Sequence, residues 1–388
     1  MRAKRRDWSW RSRATRGLIY QLLAVAAIAT AVWFIAHNTL ENMRVRGIQS
    51  GFGFLTQPAG FDIGESVIAF DSSDPYWKAF LVGLSNTLRA AVVGIVVTTI
   101  LGTLIGIGRL SRNFLLRGVC AGYVELFRNI PVLLQLLMWY FILNEWLPPV
   151  AEALNPLPGV FLSKSGMSFP IPDWERGHGV TLVGLALGAV AAWAYRRWAR
   201  AAFERTGIAR PMVWPVLLIA VAGALLGWLA GGAPTALEVP VRNDLNIAGG
   251  GAVTPEFLAV TIGLSIYTAS FVAEIVRSGI QSVSWGQTEA AGALGLSRGQ
   301  ALRLVLLPQA LRVIIPPLTN QYLNLTKNSS LAVAVGYPDL VSISNTTLNQ
   351  TGRAVECIAV IMAVYLTLSL VTAALMNWYN ARSAIRER

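Results

Sequence analysis

The sequence predicts an all-α fold, a polytopic transmembrane helical bundle of about eight spans with both termini cytoplasmic. Three observations predict it. Hydrophobic residues make up 54% of the 388 and charged residues only 13%, about half the charged share of a soluble domain. Apolar runs recur at lengths close to the roughly 20 residues that cross a hydrocarbon core. The basic residues collect in alternate connections.

The runs justify themselves in order. Gly17–Ala36 follows the basic stretch MRAKRRDWSWRSRATR. It is too long for a signal-peptide core and lacks a small-residue cleavage site, so it reads as a retained anchor. The second span lies within Ala79–Gly108, the third at about Pro131–Val150, the fourth at Gly179–Tyr195 and the fifth at Val213–Ala230. The sixth is about Pro255–Arg277, the seventh lies within Leu311–Gly336 and the eighth is Ala354–Trp378. With the N-terminus inside, 23 of the 32 Lys and Arg residues fall in inner segments and eight in outer ones; Arg89 lies within the second span. That bias sets the orientation. It also explains the net charge of +12 without nucleic acid as a partner. Asn38–Lys78 and Glu152–Gly177 read as outer loops, neither resembling a separate enzymatic domain.

Several functions lack raw material. His37 and His178 lie far apart, and Cys120 and Cys357 share no metal-like spacing. The topology places those two cysteines near opposite membrane faces, so no disulfide joins them. An integral membrane enzyme would need clustered His, Cys or acidic residues that the chain does not offer. A secondary transporter driven by an ion gradient is the alternative. It would be expected to carry ionisable residues within its spans, and few are present.

One inner segment differs from its apolar surroundings. EAAGALGLSRGQALRLVLLP, Glu289–Pro308, carries an acid, two arginines and interior glycines. Its apolar residues have helical spacing, Gly295 interrupts them, and Thr288 or Ser284 can cap the start. Two short helices bent at Gly295–Gly299 and ended by Pro308 are expected. Residue by residue, Glu289-Ala290-Ala291, Gly295, Val305 and Leu307-Pro308 resemble the cytoplasmic EAA loop of ABC importer permeases. The stretches SNTLRAAVVGIVVTTILGTLIGIGRLSRN, YVELFRNIPVLLQLLMWYF, SFVAEIVRSGIQSV and LTNQYLNLTKNSSL resemble the histidine/glutamate/glutamine-type subfamily. About 200 residues in two blocks, roughly 79–150 and 255–380, carry this resemblance. The extra anchor and the extra span pair make the chain similar to the broad-range L-amino-acid permeases of Gram-negative bacteria.

The resemblance implies a permease subunit in the bacterial inner membrane that moves L-amino acids inward from the periplasm. Its implied partners are a dimeric ABC ATPase, a second, homologous permease subunit and a periplasmic amino-acid-binding protein. No phosphate loop of the form GxxxxGK[ST] occurs, so no cofactor is expected on this chain. ATP and Mg would be bound by the partner ATPase, which Glu289, Ala290, Ala291, Gly295, Leu307 and Pro308 would contact. Residues 1–78 are then tail, anchor and outer loop, 79–150 and 255–388 the two parts of the core, and 151–254 an insertion.

Individual residues admit two readings each. Arg89 can snorkel to the outer interface or line a cavity with Asn86. Glu274 and Arg277, three apart, are expected to pair at a span end rather than to bind substrate. Trp139 and Tyr140 read as interface or packing residues, and Gly102, Gly106 and Gly108 as a helix-packing face. Asn320, Asn324 and Lys327 recur at helical spacing on one face. Such a stripe is costly against lipid, so it faces either other helices or the translocation path. Pro316 and Pro317 are expected to let that segment bend.

Overall fold

A computed structural model describes residues 13–45, 47, 50–208, 210–243 and 246–383. Twelve helices are seen among these residues: α1 Arg13–Val45, α2 Tyr76–Gly108, α3 Phe114–Asn129, α4 Val132–Trp146, α5 Arg176–Thr206, α6 Val213–Ala230, α7 Pro255–Gln281, α8 Trp285–Ala293, α9 Arg298–Ala301, α10 Leu307–Asn328, α11 Leu340–Thr351 and α12 Ala354–Ser383. Seven segments are long and apolar enough to cross a membrane, and the pair α3 and α4 raises this to eight if it forms one broken span. The residues before Arg13 and after Ser383, which hold much of the basic tail, lie outside the described residues.

The third span departs from its expected form. The stretch before Pro131 is not a loop but the helix α3, started by Asn113, whose side chain accepts from the Leu115 and Leu116 N–H groups. Ile130 precedes Pro131 and is extended (φ −94°, ψ 128°), because the proline ring excludes the helical region for the residue before it. The two helices therefore meet at 107°.

The chain divides into two compact units, Met1–Leu137 with Val260–Arg388, and Met138–Ala259. In the first, α2 is the hub. Its glycine face admits neighbouring helices closely, as the small-residue spacing predicts. Gly94 meets Leu325 of α10, while Gly102 and Gly106 meet Val272, Ala273 and Val276 of α7. Hydroxyls fasten the seam: Thr98 donates to the Ser265 carbonyl at 3.2 Å and Tyr123 of α3 to the Ile266 carbonyl at 2.7 Å. α1 is exposed along nearly all its length, the state of a helix whose solvent is hydrocarbon.

The segment before α2 is a fastened cap rather than a loose strand of chain. Phe54 is buried with Tyr76, Phe80, Leu340, Ile343 and Cys357. The Gly51 N–H donates to the Glu356 carboxylate, and Arg353 donates to the Gly51 carbonyl while stacking on the Phe54 ring. Cys357 thus belongs to this cluster. Cys120 instead sits against Gly108, and both thiols are free.

Below the cap a polar knot ties α2 to the turn before α11. Asn86 donates to the carbonyls of Glu65 at 2.8 Å and Pro338 at 2.9 Å. Tyr337 donates to the Asn86 carbonyl and the Leu340 N–H to the Thr87 hydroxyl. Asp339, outside the spanning helices, caps α11 by accepting from the Ser342 N–H at 2.8 Å and is wholly enclosed. Burial pushes its carboxyl up to about 7. The folded state then holds this proton more tightly than the unfolded chain. Stability is greatest below the ordinary carboxylate range, falls as pH rises toward 7 and levels above it. Asp339→Asn keeps the cap and removes the charge. It is expected to flatten that dependence and to stabilise the chain at pH 8 by on the order of a few kcal/mol, read in detergent as a raised melting temperature. An unchanged slope between pH 5 and pH 8 would contradict this placement.

The second unit holds the inserted pair. α5 and α6 form an antiparallel hairpin in which Gly184 and Gly188 meet Gly223 and Gly227 backbone to backbone. The flanking segments, read from the sequence as loops, contain short strands: β1 Leu154–Leu157, β2 Val160–Ser163, β3 Gly166–Phe169, β4 Ile171–Pro172, β5 Leu237–Glu238, β6 Val241–Arg242, β7 Ile247–Ala248 and β8 Gly251–Val253. An antiparallel sheet of order β1-β2-β3-β8 is accompanied by the pairs β4-β5 and β6-β7. Two-residue turns at Pro158-Gly159 and Lys164-Ser165 set the register.

Candidate functional site

The EAA-like segment begins at Ser284, the N-cap of α8 (φ −61°, ψ 143°). Glu289 stands in mid-helix, exposed, and has no ion-pair partner among the described residues. Ala291 faces inward and is buried. The helix ends in a left-handed turn: the Gly295 N–H donates to the Gly292 carbonyl and the Leu296 N–H to the Ala291 carbonyl. Gly295 has φ +73°, a conformation in which a side chain is strained, so the motif's glycine has a backbone reason. Ser297 and Gln300 then form a reciprocal cap for α9.

Pro308 does not end the run. Leu302–Leu306 form a π turn, and the helix continues through Pro308 into α10. A wider turn before the proline relieves the clash of its ring with the preceding turn. Pro316 and Pro317 likewise lie inside a continuous α10. Both ends of the segment are anchored. Val272 and Val276 of α7 pack with Ala310 and Ile314 of α10, and Gln309 donates to Gln287 at 3.0 Å.

The outward surface of this segment is amphipathic. Trp285 is 74% and Leu294 80% exposed, with Leu302, Leu304 and Leu307 also bare. These apolar groups and the exposed Glu289 carboxylate form one mixed surface beside the bend. The sequence reading did not single out Trp285 as part of it, although the residue flanks the motif.

α10 has two faces. Ile314, Ile315, Leu325 and Thr326 are buried, and Tyr322 meets the Thr99 hydroxyl of α2 at 2.8 Å. The opposite face exposes Pro316, Pro317, Asn320, Asn324 and Lys327. The structure therefore aligns the predicted stripe on one side and leaves it exposed among the described residues.

Residues 184–385 match the family described as "Binding-protein-dependent transport system inner membrane component". The chain belongs to this family. It is 47% identical to the general L-amino acid transport system permease protein AapQ of Rhizobium johnstonii, over 98% of this chain and 96% of that protein. It is 45% identical to the putative amino-acid ABC transporter permease protein YhdX of Escherichia coli, over 98% and 97%. It is 39% identical to the glutamate/glutamine/aspartate/asparagine transport system permease protein BztB of Rhodobacter capsulatus, over 96% and 95%.

In this inner-membrane transport component, Asn86 and Arg89 are engaged elsewhere than on the stripe. The Asn86 amide nitrogen donates to the two backbone carbonyls named above, and Arg89 pairs with the nearly buried Glu65 carboxylate. Glu274 and Arg277 pair as expected, through Nε at 3.2 Å. Glu274 also receives Arg109 from the end of α2, a link between helices far apart in sequence that no local spacing could reveal.

Proposed function

We propose that this chain is the translocating permease subunit of an ATP-binding-cassette importer that carries L-amino acids from the periplasm to the cytoplasm. The observation that carries the reading is the Glu289–Pro308 segment: exposed, amphipathic, and anchored by packed helices at both ends. A water-soluble ATPase supplies ATP, Mg and hydrolysis, and it docks on α8 through Trp285, Glu289 and Leu294. Closure of that partner pulls on α8, and the α7–α10 packing passes the motion to the spans. The names of the full-length relatives support amino acids as cargo. A periplasmic amino-acid-binding protein delivers them. The basic bias of the connections supports cytoplasmic termini.

The exposed stripe Asn320, Asn324 and Lys327 lines the path, shared with a second permease subunit that covers the face left bare in one chain. Amides and an ammonium suit a zwitterionic cargo, the ammonium meeting its carboxylate. Asn324→Leu and Lys327→Leu are expected to cut uptake by about tenfold or more while the ATPase still assembles, the loss of a charge-assisted contact of roughly 1.5–3 kcal/mol. Cysteines at 320 and 324 should react with aqueous thiol reagents and be protected by substrate. Inertness in every nucleotide state would make the stripe a packing surface. The function itself is tested by purifying the chain with its partners and measuring ATPase activity. Stimulation by amino-acid-loaded binding protein is expected. Hydrolysis indifferent to it, or failure to retain an ATPase, would contradict the assignment.

A further inference from the structure

The α5–α6 hairpin ends in a basic cluster that coupling and translocation do not use. Arg196, Arg197, Arg200, Arg205 and Arg210 fall within fifteen residues, with Glu204 the single acid among them. All five are exposed, and none forms an ion pair among the described residues. Two are held in place by aromatic rings: Arg197 lies over Trp193 at 5.0 Å and Arg210 over Trp198 at 4.4 Å. A guanidinium stacked on a ring keeps its in-plane N–H edge open, in the fork geometry that matches a phosphodiester.

The depth of this cluster follows from the hairpin itself. α6 has 18 residues, about 27 Å of helix, close to the thickness of a hydrocarbon core of about 30 Å. Its first residue, Val213, therefore marks one edge of the core. The Tyr195 hydroxyl donates to the Pro211 carbonyl at 3.1 Å, so α5 passes that edge at Tyr195. Trp193, Tyr195 and Trp198 then form an aromatic belt at the boundary. Arg196, Arg197 and Arg200 follow within about a turn and a half, at the level of the lipid phosphates. α5 continues to Thr206, and the return loop brings Arg210 back onto Trp198.

We propose that this end of the hairpin is a binding site for the headgroup of an anionic phospholipid, with Arg197 and Arg210 gripping the phosphodiester and Trp193 and Trp198 seating the lipid at the interface. The site fixes the hairpin to negatively charged membrane. It does not rest on the cargo or on the ATPase partner.

The test uses the full chain in detergent micelles of zwitterionic character, titrated with cardiolipin, phosphatidylglycerol, phosphatidylcholine or inorganic phosphate. Lipid retention is read by native mass spectrometry and stability by the melting temperature. Both anionic lipids should be retained and should raise the melting temperature; phosphatidylcholine and inorganic phosphate should do neither. Arg197→Gln/Arg210→Gln should weaken retention by about tenfold or more with an unchanged melting temperature in the absence of anionic lipid. Arg112→Gln/Arg117→Gln, on α3 and its approach, should retain lipid as the wild type does. If the first double variant fails to reach the membrane, Arg197→Lys/Arg210→Lys, which keeps charge and loses the fork, should show a smaller weakening that still separates it from the wild type. Equal retention by wild type and the 197/210 variants, equal loss in the 112/117 control, or protection by inorganic phosphate alone would overturn the proposal.

Discussion

Glu289→Lys is expected to reduce uptake at least about tenfold while the chain reaches the membrane at the wild-type level. The carboxylate is exposed and forms no ion pair among the described residues, so its loss costs the fold little, within about 0.5 kcal/mol. Against a partner surface, reversing the charge removes a charge-assisted contact and leaves a repelling one, an effect of roughly 2–5 kcal/mol where the pair is desolvated. Membrane level is measured by immunodetection and uptake by labelled amino acid in the same cells. Normal uptake at normal expression would remove Glu289 from the coupling surface. A second substitution separates docking from turn geometry. Gly295→Val forces a branched side chain to φ +73° and should uncouple ATPase from transport even with Glu289 intact.

Gly106→Leu is expected to abolish the folded chain rather than its activity. A Cβ at this position would lie 2.7 Å from the Ala273 carbonyl oxygen and 2.9 Å from the Val276 side chain. The carbonyl cannot move aside without breaking α7, so α2 and α7 must part. That would strip Arg109 from Glu274 as well. A destabilisation of about 3 kcal/mol or more should appear as lost membrane accumulation and a lowered melting temperature. Gly118→Leu, where a Cβ meets nothing within 4 Å, is the matched control and should accumulate normally.

The long apolar helices were legible because their hydropathy is continuous. α2, α6, α7 and α12 lie where the runs placed them. α3 was not legible: FLLRGVCAGYVELFRN is amphipathic and carries basic residues, so hydropathy reads it as connection. The strands of the second unit are two to four residues long, too short for an alternation to stand out, although Pro158-Gly159 announces a turn. Pro308 misled by its ordinary role as a helix terminator, because the π turn that accommodates it leaves no residue-type mark.

The candidate site divides in the same way. Spacing alone put Asn320, Asn324 and Lys327 on one face, since i and i+4 neighbours are a local matter. The roles of Asn86 and Arg89 were open in the sequence because their partners, Glu65 and Pro338, are joined to them only by the fold. Asp339 gave no sign at all. A lone acid before a helix reads as an exposed cap, and only the packing around α11 shows it enclosed.

The central claim is that motion in this chain is driven through Glu289–Pro308 by an ATPase bound there. Amino-acid uptake into membrane vesicles containing the assembled complex tests it most directly. ATP is trapped inside, the binding protein is supplied outside, and ion gradients are collapsed with ionophores. Uptake should persist, should require both internal ATP and the binding protein, and should vanish in Glu289→Lys vesicles that still retain the chain. Uptake driven by an imposed proton or sodium gradient without ATP would contradict the account and favour a secondary transporter.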